Sequence, residues 1–233
     1  LQNQITYQKT MINANLKYFK PSTAKKQKTF LDEITLSLNN KPKSISPKFF
    51  YDETGSKLFD EICSLPEYYL YDSEIEILSN IKTDIKSYID SEIHLVELGS
   101  GSSIKTRILL DTLYSIQTSV EYFPIDISNI LTHSTQELSN IYKDLKITGI
   151  IDTYENGLNF IEHYDDKPNL VSFLGSSFGN FNPNEGIDFL KTISAMMKES
   201  DLFLIGFDLK KDESVLHNAY NDSKGVTAKF NLN

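Results

Sequence analysis

The chain has 233 residues, with 23 Lys and Arg against 32 Asp and Glu, a formal charge of −9, 39% hydrophobic residues and 24% charged. That profile fits a soluble globular protein of one domain, or one and part of a second, and excludes disorder; its acidity argues against broad phosphate-backbone binding. A lone Cys63 excludes a disulfide scaffold or a multi-Cys zinc site, and His94, His133, His163 and His217 form no metal-binding cluster.

Residues 1–21 are polar with little periodic signal and read as a loose arm. They lack the apolar core of a signal peptide, and no apolar run in the chain approaches the roughly 18–20 residues of a membrane helix, so the expected compartment is the cytoplasm. From Ser22 to Asn39, Phe30, Ile34 and Leu38 recur at a spacing of four, which predicts a short amphipathic helix. Residues 48–90 read as helix in two pieces separated near Pro66, the second with Asp72 as its cap. Beyond Asp90 the pattern changes. Strands are predicted at 94–98, 120–125, 146–151, 170–174 and 202–207, and helices follow Gly101 and span 128–145, 158–163 and 213–222. A further helix opens at Asn182-Pro-Asn-Glu185, where Asn as cap, Pro first and Glu third make a strong start signal. Strands alternating with helices indicate a parallel, doubly wound α/β sheet.

Four stretches carry candidate chemistry. Glu97-Leu-Gly99-Ser-Gly101-Ser-Ser103-Ile-Lys105 is a glycine-rich turn between strand and helix, which lets a ligand approach the backbone and favours an anion. The third glycine of a dinucleotide fingerprint is missing, with Ser103 in its region. The turn suits S-adenosylmethionine better than NAD, with Lys105 as a point charge for the methionyl carboxylate. Read blandly, it is a tight turn with a solvated lysine. Asp126 ends the second strand, 25 residues past Gly101, and can accept hydrogen bonds from ribose hydroxyls or cap the segment from Ser128. Gly175-Ser-Ser-Phe-Gly179-Asn180 lies at a strand's carboxyl end, and Asn180 offers a donor and an acceptor to an amino acid or satisfies its own loop. Phe49-Phe-Tyr51 and Pro66-Glu-Tyr68-Tyr69-Leu-Tyr71 are aromatic clusters of the kind that serve core, interface or site.

Together, SPKFFYDETGSKLFDEICSLPEYY, LVELGSGSSIKTRILLD, FLGSSFGNFNP and AYNDSKGVTAKFN resemble the histidine-specific methyltransferases, whose best-known member is the S-adenosylmethionine-dependent L-histidine Nα-methyltransferase of ergothioneine biosynthesis. The resemblance runs from about Ser46 to the end. It implies a Rossmann-like methyltransferase sheet at 72–210, the helical N-terminal part of a substrate-binding domain at 22–71, and the start of that domain's remainder at 211–233, with residues 1–21 as the arm. It further implies cofactor contacts from Gly99, Gly101, Lys105, Asp126 and the pair Thr153-Tyr154, where the family carries Asp before the aromatic. Tyr68, Asn180 and Tyr220 match residues that hold the amino-acid substrate, and Tyr51 matches a tyrosine near its amine that is a candidate proton acceptor.

Two departures stand out. After Tyr69 the family continues Pro-Thr-Arg-Thr-Glu, where this chain has Leu70-Tyr-Asp-Ser-Glu74. Family members also extend well past Asn233, so the chain is expected to be either a fragment or a protein that has lost the C-terminal part that reads the imidazole. The expectation is thus a monomeric N-methyltransferase for the α-amine of an amino acid, histidine first, with no nucleic-acid or membrane partner. The alternatives are a relative acting on another amino acid or an alkaloid-precursor amine, and a catalytically silent cofactor-binding fold.

Overall fold

The computed structural model describes residues 5–22, 30–100, 103–128 and 130–233. The chain divides into a sheet unit, Leu1–Pro21 with Leu70–Leu209, and a helical unit, Ser22–Tyr69 with Lys210–Asn233.

The sheet unit holds seven strands: β1 (Tyr7–Met11), β2 (Leu16–Pro21), β3 (His94–Leu98), β4 (Glu121–Asp126), β5 (Lys146–Ile151), β6 (Asn169–Phe173) and β7 (Leu202–Ile205), in the order β1-β2-β5-β4-β3-β6-β7. Every pairing is parallel except β1 with β2. Connecting helices are α3 (Tyr69–Asn80), α4 (Lys82–Ser87), α5 (Ser103–Tyr114), α6 (Ile130–Ile141), α7 (Tyr154–Glu162) and α8 (Pro183–Met196). Strand side chains alternate between faces, so the sheet sorts its apolar residues into two cores. Leu95, Tyr122, Ile147 and Leu170 meet Leu78, Leu109, Leu113, Leu131 and Leu138 on one side. Val96, Phe123, Ile150 and Val171 meet Leu158, Ile161, Phe189 and Ile193 on the other. The alternation of strand and helix starts at β3 and runs outward through β4 and β5, beside which β2 lies, and the chain then returns to lay β6 and β7 on the opposite side of β3. The switch point therefore falls between β3 and β6, and the loop after each strand opens on the carboxyl edge, where such sheets take ligands.

The start of α8 follows the sequence reading. Asn182 accepts from the Glu185 backbone at 3.0 Å while Glu185 reaches back to the Asn182 N–H at 3.1 Å, a complete capping box. Residues 7–21 do not. They are no loose arm: β2 lies parallel to β5, with Leu16 opposite Ile147, and buries Leu16 and Tyr18. The alternation Leu16-Lys-Tyr18-Phe is only four residues long and acquires meaning through a partner some 130 residues away. β1 then adds antiparallel, so the sheet is not wholly parallel. Other boundaries shift by a few residues. Asp72 sits in the first turn of α3 rather than capping it, and α7 begins at Tyr154 behind a Thr153 cap instead of at Leu158.

The helical unit comprises α1 (Phe30–Asn39), a 3-10 turn (Pro47–Phe50), α2 (Glu53–Cys63), α9 (Glu213–Tyr220) and α10 (Val226–Asn231). Asp52 caps α2 by accepting the Gly55 N–H at 2.7 Å. Gly55 has no alternative at its position, since a Cβ there would stand 1.7 Å from the Phe50 carbonyl oxygen. No helix among the described residues is long and apolar enough to cross a membrane.

Candidate functional site

The sheet unit brings its predicted site residues to the carboxyl edge. Gly99 follows β3 with φ +78°, a left-handed conformation that disfavours any residue with a Cβ, and its N–H donates to the Ile125 carbonyl at 2.9 Å. The atom that comes close is from the protein itself: a Cβ on Gly99 would lie 2.9 Å from the Tyr154 hydroxyl. Tyr154 is held edge-on against Phe173 and Phe189, with centroids 5.8 and 6.3 Å away. Gly101 lies outside the described residues. Next to it, the buried Ser100 hydroxyl has no hydrogen-bond partner among the described residues.

Asp126 ends β4, and its Oδ1 accepts from the Ser128 N–H and hydroxyl, both at 2.8 Å. The capping role is thus present. Burial nevertheless pushes its carboxyl above 3.8 in spite of those two bonds. Beneath the turn, Glu97 is buried and accepts from Thr106 at 3.0 and 3.1 Å and from the Tyr122 hydroxyl. Burial raises its carboxyl above 4.5, because neutral hydroxyl donors compensate only part of the lost hydration.

Thr153 caps α7, its hydroxyl accepting the Asn156 N–H at 3.4 Å. The acid one position earlier, Asp152, is taken up by the protein, accepting from the Tyr7 hydroxyl at 2.9 Å, the Thr153 N–H at 2.8 Å and the Asn156 amide at 2.9 Å. Tyr154, not the acid, is therefore the member of this pair set against the glycine turn. Asn180 ends the 3-10 turn Ser177–Asn180 and is exposed. That turn follows Gly175 at φ +79° and Ser176 at φ +55°, an uncommon conformation for a residue with a side chain.

Lys105 is not a solvated lysine. Its ammonium lies 2.7 Å from the Glu74 carboxylate and over the Tyr71 ring, 5.6 Å from the centroid. The sequence reading missed Glu74. The signal was there, in the one family residue retained at the end of Leu70-Tyr-Asp-Ser-Glu74, but that stretch draws attention to what has changed.

In the helical unit Tyr51, Tyr68 and Tyr220 belong to one aromatic array. Tyr51 meets Phe59 and Phe230 at 5.4 and 5.3 Å, Phe59 meets Tyr68 at 6.2 Å, and Tyr68 meets Tyr220 edge-on at 6.0 Å. Tyr68 is buried and Tyr220 is 53% exposed, so the array runs from core to surface. Burial chiefly, with Cys63 and Tyr220 adding, pushes the Tyr51 hydroxyl up to about 12. At neutral pH it is a phenol, which makes it a hydrogen-bonding group and a poor proton acceptor. Asp222 builds the far wall: its carboxylate accepts from the Lys224, Val226 and Thr227 N–H groups at 3.0, 3.0 and 2.7 Å and so starts α10, which carries Phe230. Among the described residues no His, Cys, Asp or Glu group could hold a metal ion.

S-adenosylmethionine offers ribose hydroxyls that need an acceptor and a methionyl carboxylate that needs a cation. Asp126 and Lys105 are of those kinds on the carboxyl edge, and the buried Ser100 hydroxyl in the turn is a polar atom with no partner among the described residues. The residues present fit the cofactor.

Comparison with known proteins agrees. Residues 30–233 match the family described as histidine-specific methyltransferase, SAM-dependent. The histidine N-alpha-methyltransferase of Mycolicibacterium smegmatis is 38% identical over 202 residues, covering 86% of this chain and 62% of that protein. Ergothioneine biosynthesis protein 1 of Neurospora crassa is 35% identical over 205 residues, 86% of this chain and 23% of that one. The chain thus spans less than two thirds of the length of these curated relatives. A crystal structure from Thermobifida fusca, provisionally named a methyltransferase, superposes with a TM-score of 0.51 at 11% identity over 76% of this chain and 67% of that one, a likeness of fold alone. By sequence over most of its length, and with the fold and edge residues in keeping, the chain belongs to the family of histidine-specific, S-adenosylmethionine-dependent methyltransferases.

Proposed function

We propose that the protein of which this chain is all or part transfers a methyl group from S-adenosylmethionine to the α-amine of an amino acid, L-histidine first, a reaction that serves ergothioneine biosynthesis. The observation that carries this reading is the placement of Lys105, Asp126 and the Gly99 turn along one edge of the sheet, in a chain whose relatives include histidine N-alpha-methyltransferases.

When bound, the cofactor supplies a methyl group made reactive by its sulfonium, so the protein's task is positioning and exclusion of water. Asp126 is the acceptor for the ribose hydroxyls. Its raised pKa marks a carboxylate short of donors, which two more hydroxyls would relieve. Lys105 is the cation for the methionyl carboxylate. Tyr154 forms the wall against the glycine turn, where the adenine is assigned. Tyr68, Tyr220 and Asn180, which match the family's substrate-holding positions, are assigned to the amino-acid substrate. Tyr51, a phenol at neutral pH, orients the amine by hydrogen bonding and leaves its proton to solvent.

Calorimetry with S-adenosylhomocysteine tests the cofactor half. Asp126→Ala is expected to weaken binding at least about tenfold, the worth of one charge-assisted hydrogen bond; equal binding by both proteins removes Asp126 from the site. For the substrate half, this chain, and any longer protein of which it is part, is incubated with labelled cofactor and a panel of amino acids. Product with histidine supports the reading, and product with none defeats it.

A second reading has its own observation. The 4-dimethylallyltryptophan N-methyltransferase of Claviceps purpurea is 29% identical over 205 residues, 84% of this chain. A substituted tryptophan belongs in the same panel, and its preference over histidine would select this alternative.

A further inference from the structure

Glu74 is a charged group held by partners from two different elements on the carboxyl edge of the sheet unit. It projects from α3, and its side chain is 13% exposed. One oxygen takes the Lys105 ammonium at 2.7 Å. Both oxygens lie 2.9 Å from the Gly175 nitrogen, in the loop that leads to Asn180. The chain has made room for it: a Cβ at Gly206, just past β7, would stand 2.0 Å from Glu74 Oε1. The Lys105 ammonium in turn lies 3.4 Å from where a Cβ of Gly175 would be, so a larger residue there would crowd it. One carboxylate thus joins elements that follow β3, β6 and β7.

We infer that Glu74 is a positioning residue, which holds the cofactor lysine and the Asn180 loop in one fixed arrangement. The inference rests on the cofactor role proposed for Lys105. A lysine on a four-carbon stem is a mobile point charge. Pinned by Glu74 on one side and resting over Tyr71, it keeps two N–H donors for a ligand carboxylate without first losing its rotamer freedom on binding. Pairing also lets the ammonium sit in a site only 12% exposed without the cost of an uncompensated charge. Glu74 acts on the cofactor's amino-acid tail through Lys105, and it has no part in holding adenine or ribose.

The test uses two ligands that differ in that tail. S-adenosylhomocysteine carries it, whereas 5′-methylthioadenosine has the adenine, ribose and thioether without it. Calorimetry is run on the wild type, Glu74→Gln, Lys105→Met and the double variant, each checked for folding by thermal melting. Glu74→Gln is expected to weaken S-adenosylhomocysteine about tenfold while methylthioadenosine changes less than twofold. In the Lys105→Met background, Glu74→Gln is expected to add nothing, the signature of two residues acting as one. Equal loss of both ligands, or additive losses in the double variant, would mean that Glu74 only supports the fold and would overturn the inference. A wild type that binds neither nucleoside would overturn the cofactor reading and this inference with it, a failure that appears before any variant is compared.

Discussion

Two buried carboxylates, one in each unit, show how differently this chain treats the same chemical group. Asp222 in the helical unit is 7% exposed and receives three backbone N–H groups, and these hold its carboxyl down to about 2 against the upward push of burial. Glu97 in the sheet unit is as deeply buried but receives only hydroxyl donors, and burial wins, raising its carboxyl. Asp126, one strand away, is raised too, because burial outweighs the single backbone N–H and the single hydroxyl it receives from Ser128. Backbone amides fixed by a loop are aligned dipoles that reward the charged form, whereas neutral hydroxyls reward it less. A carboxylate saturated by its own backbone is architecture. One left short of donors on a ligand-binding edge retains capacity for a ligand's hydroxyls, and that holds for Asp126.

The sharpest way to break this contrast is Asp222→Ala, which leaves three amides without their acceptor. It is expected to cost about 3 kcal/mol in the unfolding free energy of the helical unit, read by denaturant melting. The pH dependence should run in opposite directions for the two groups. With its folded pKa depressed, Asp222 contributes stability that is full above its ordinary value of 3.8 and is lost as pH falls toward about 2. With its folded pKa raised, Glu97 favours the fold in its protonated form, so its contribution declines as pH rises past 4.5. Titration of stability across pH 2–8 checks both slopes, and a common sign would dissolve the comparison.

A smaller effect sharpens the architectural side. Gly55→Ala places a methyl against the Phe50 carbonyl and is expected to destabilise by about 2 kcal/mol in the same melting experiment, since backbone must shift to admit it. Smallest of all is Glu97→Gln. Amide replaces a carboxyl that burial already favours in its neutral form, so stability near pH 4 should change by less than about 1 kcal/mol and the decline above that pH should flatten. Wild-type slope retained in Glu97→Gln would assign the decline to another group.

The candidate site was legible to different depths. Gly99 and Asp126 could be placed from sequence because a turn after the first strand of an α/β unit and an acid at the end of the next are set by local geometry. Glu74 was not, since its partners Lys105, Gly175 and Gly206 are 31, 101 and 132 residues away and no periodicity links them. Nor was α10, a short helix whose start depends on one side chain closing a loop. Thr153 and Asp152 show the reverse difficulty. Position alone does not reveal that Thr153 serves as a cap and that Asp152 accepts from Tyr7, which comes from a stretch that reads as a loose arm.

By itself the sequence determined the alternation of strands and helices, the capping box at Asn182, the glycine turns and the family, because each is written in neighbouring residues or in a contiguous motif. Tertiary structure alone decided that residues 7–21 join the sheet, that Tyr51, Tyr68 and Tyr220 form one array, and that a glutamate on α3 holds the lysine of the glycine turn. Those arrangements are pairings between distant parts of the chain, and their energy comes from burial and charge compensation that exist only once the partners have met.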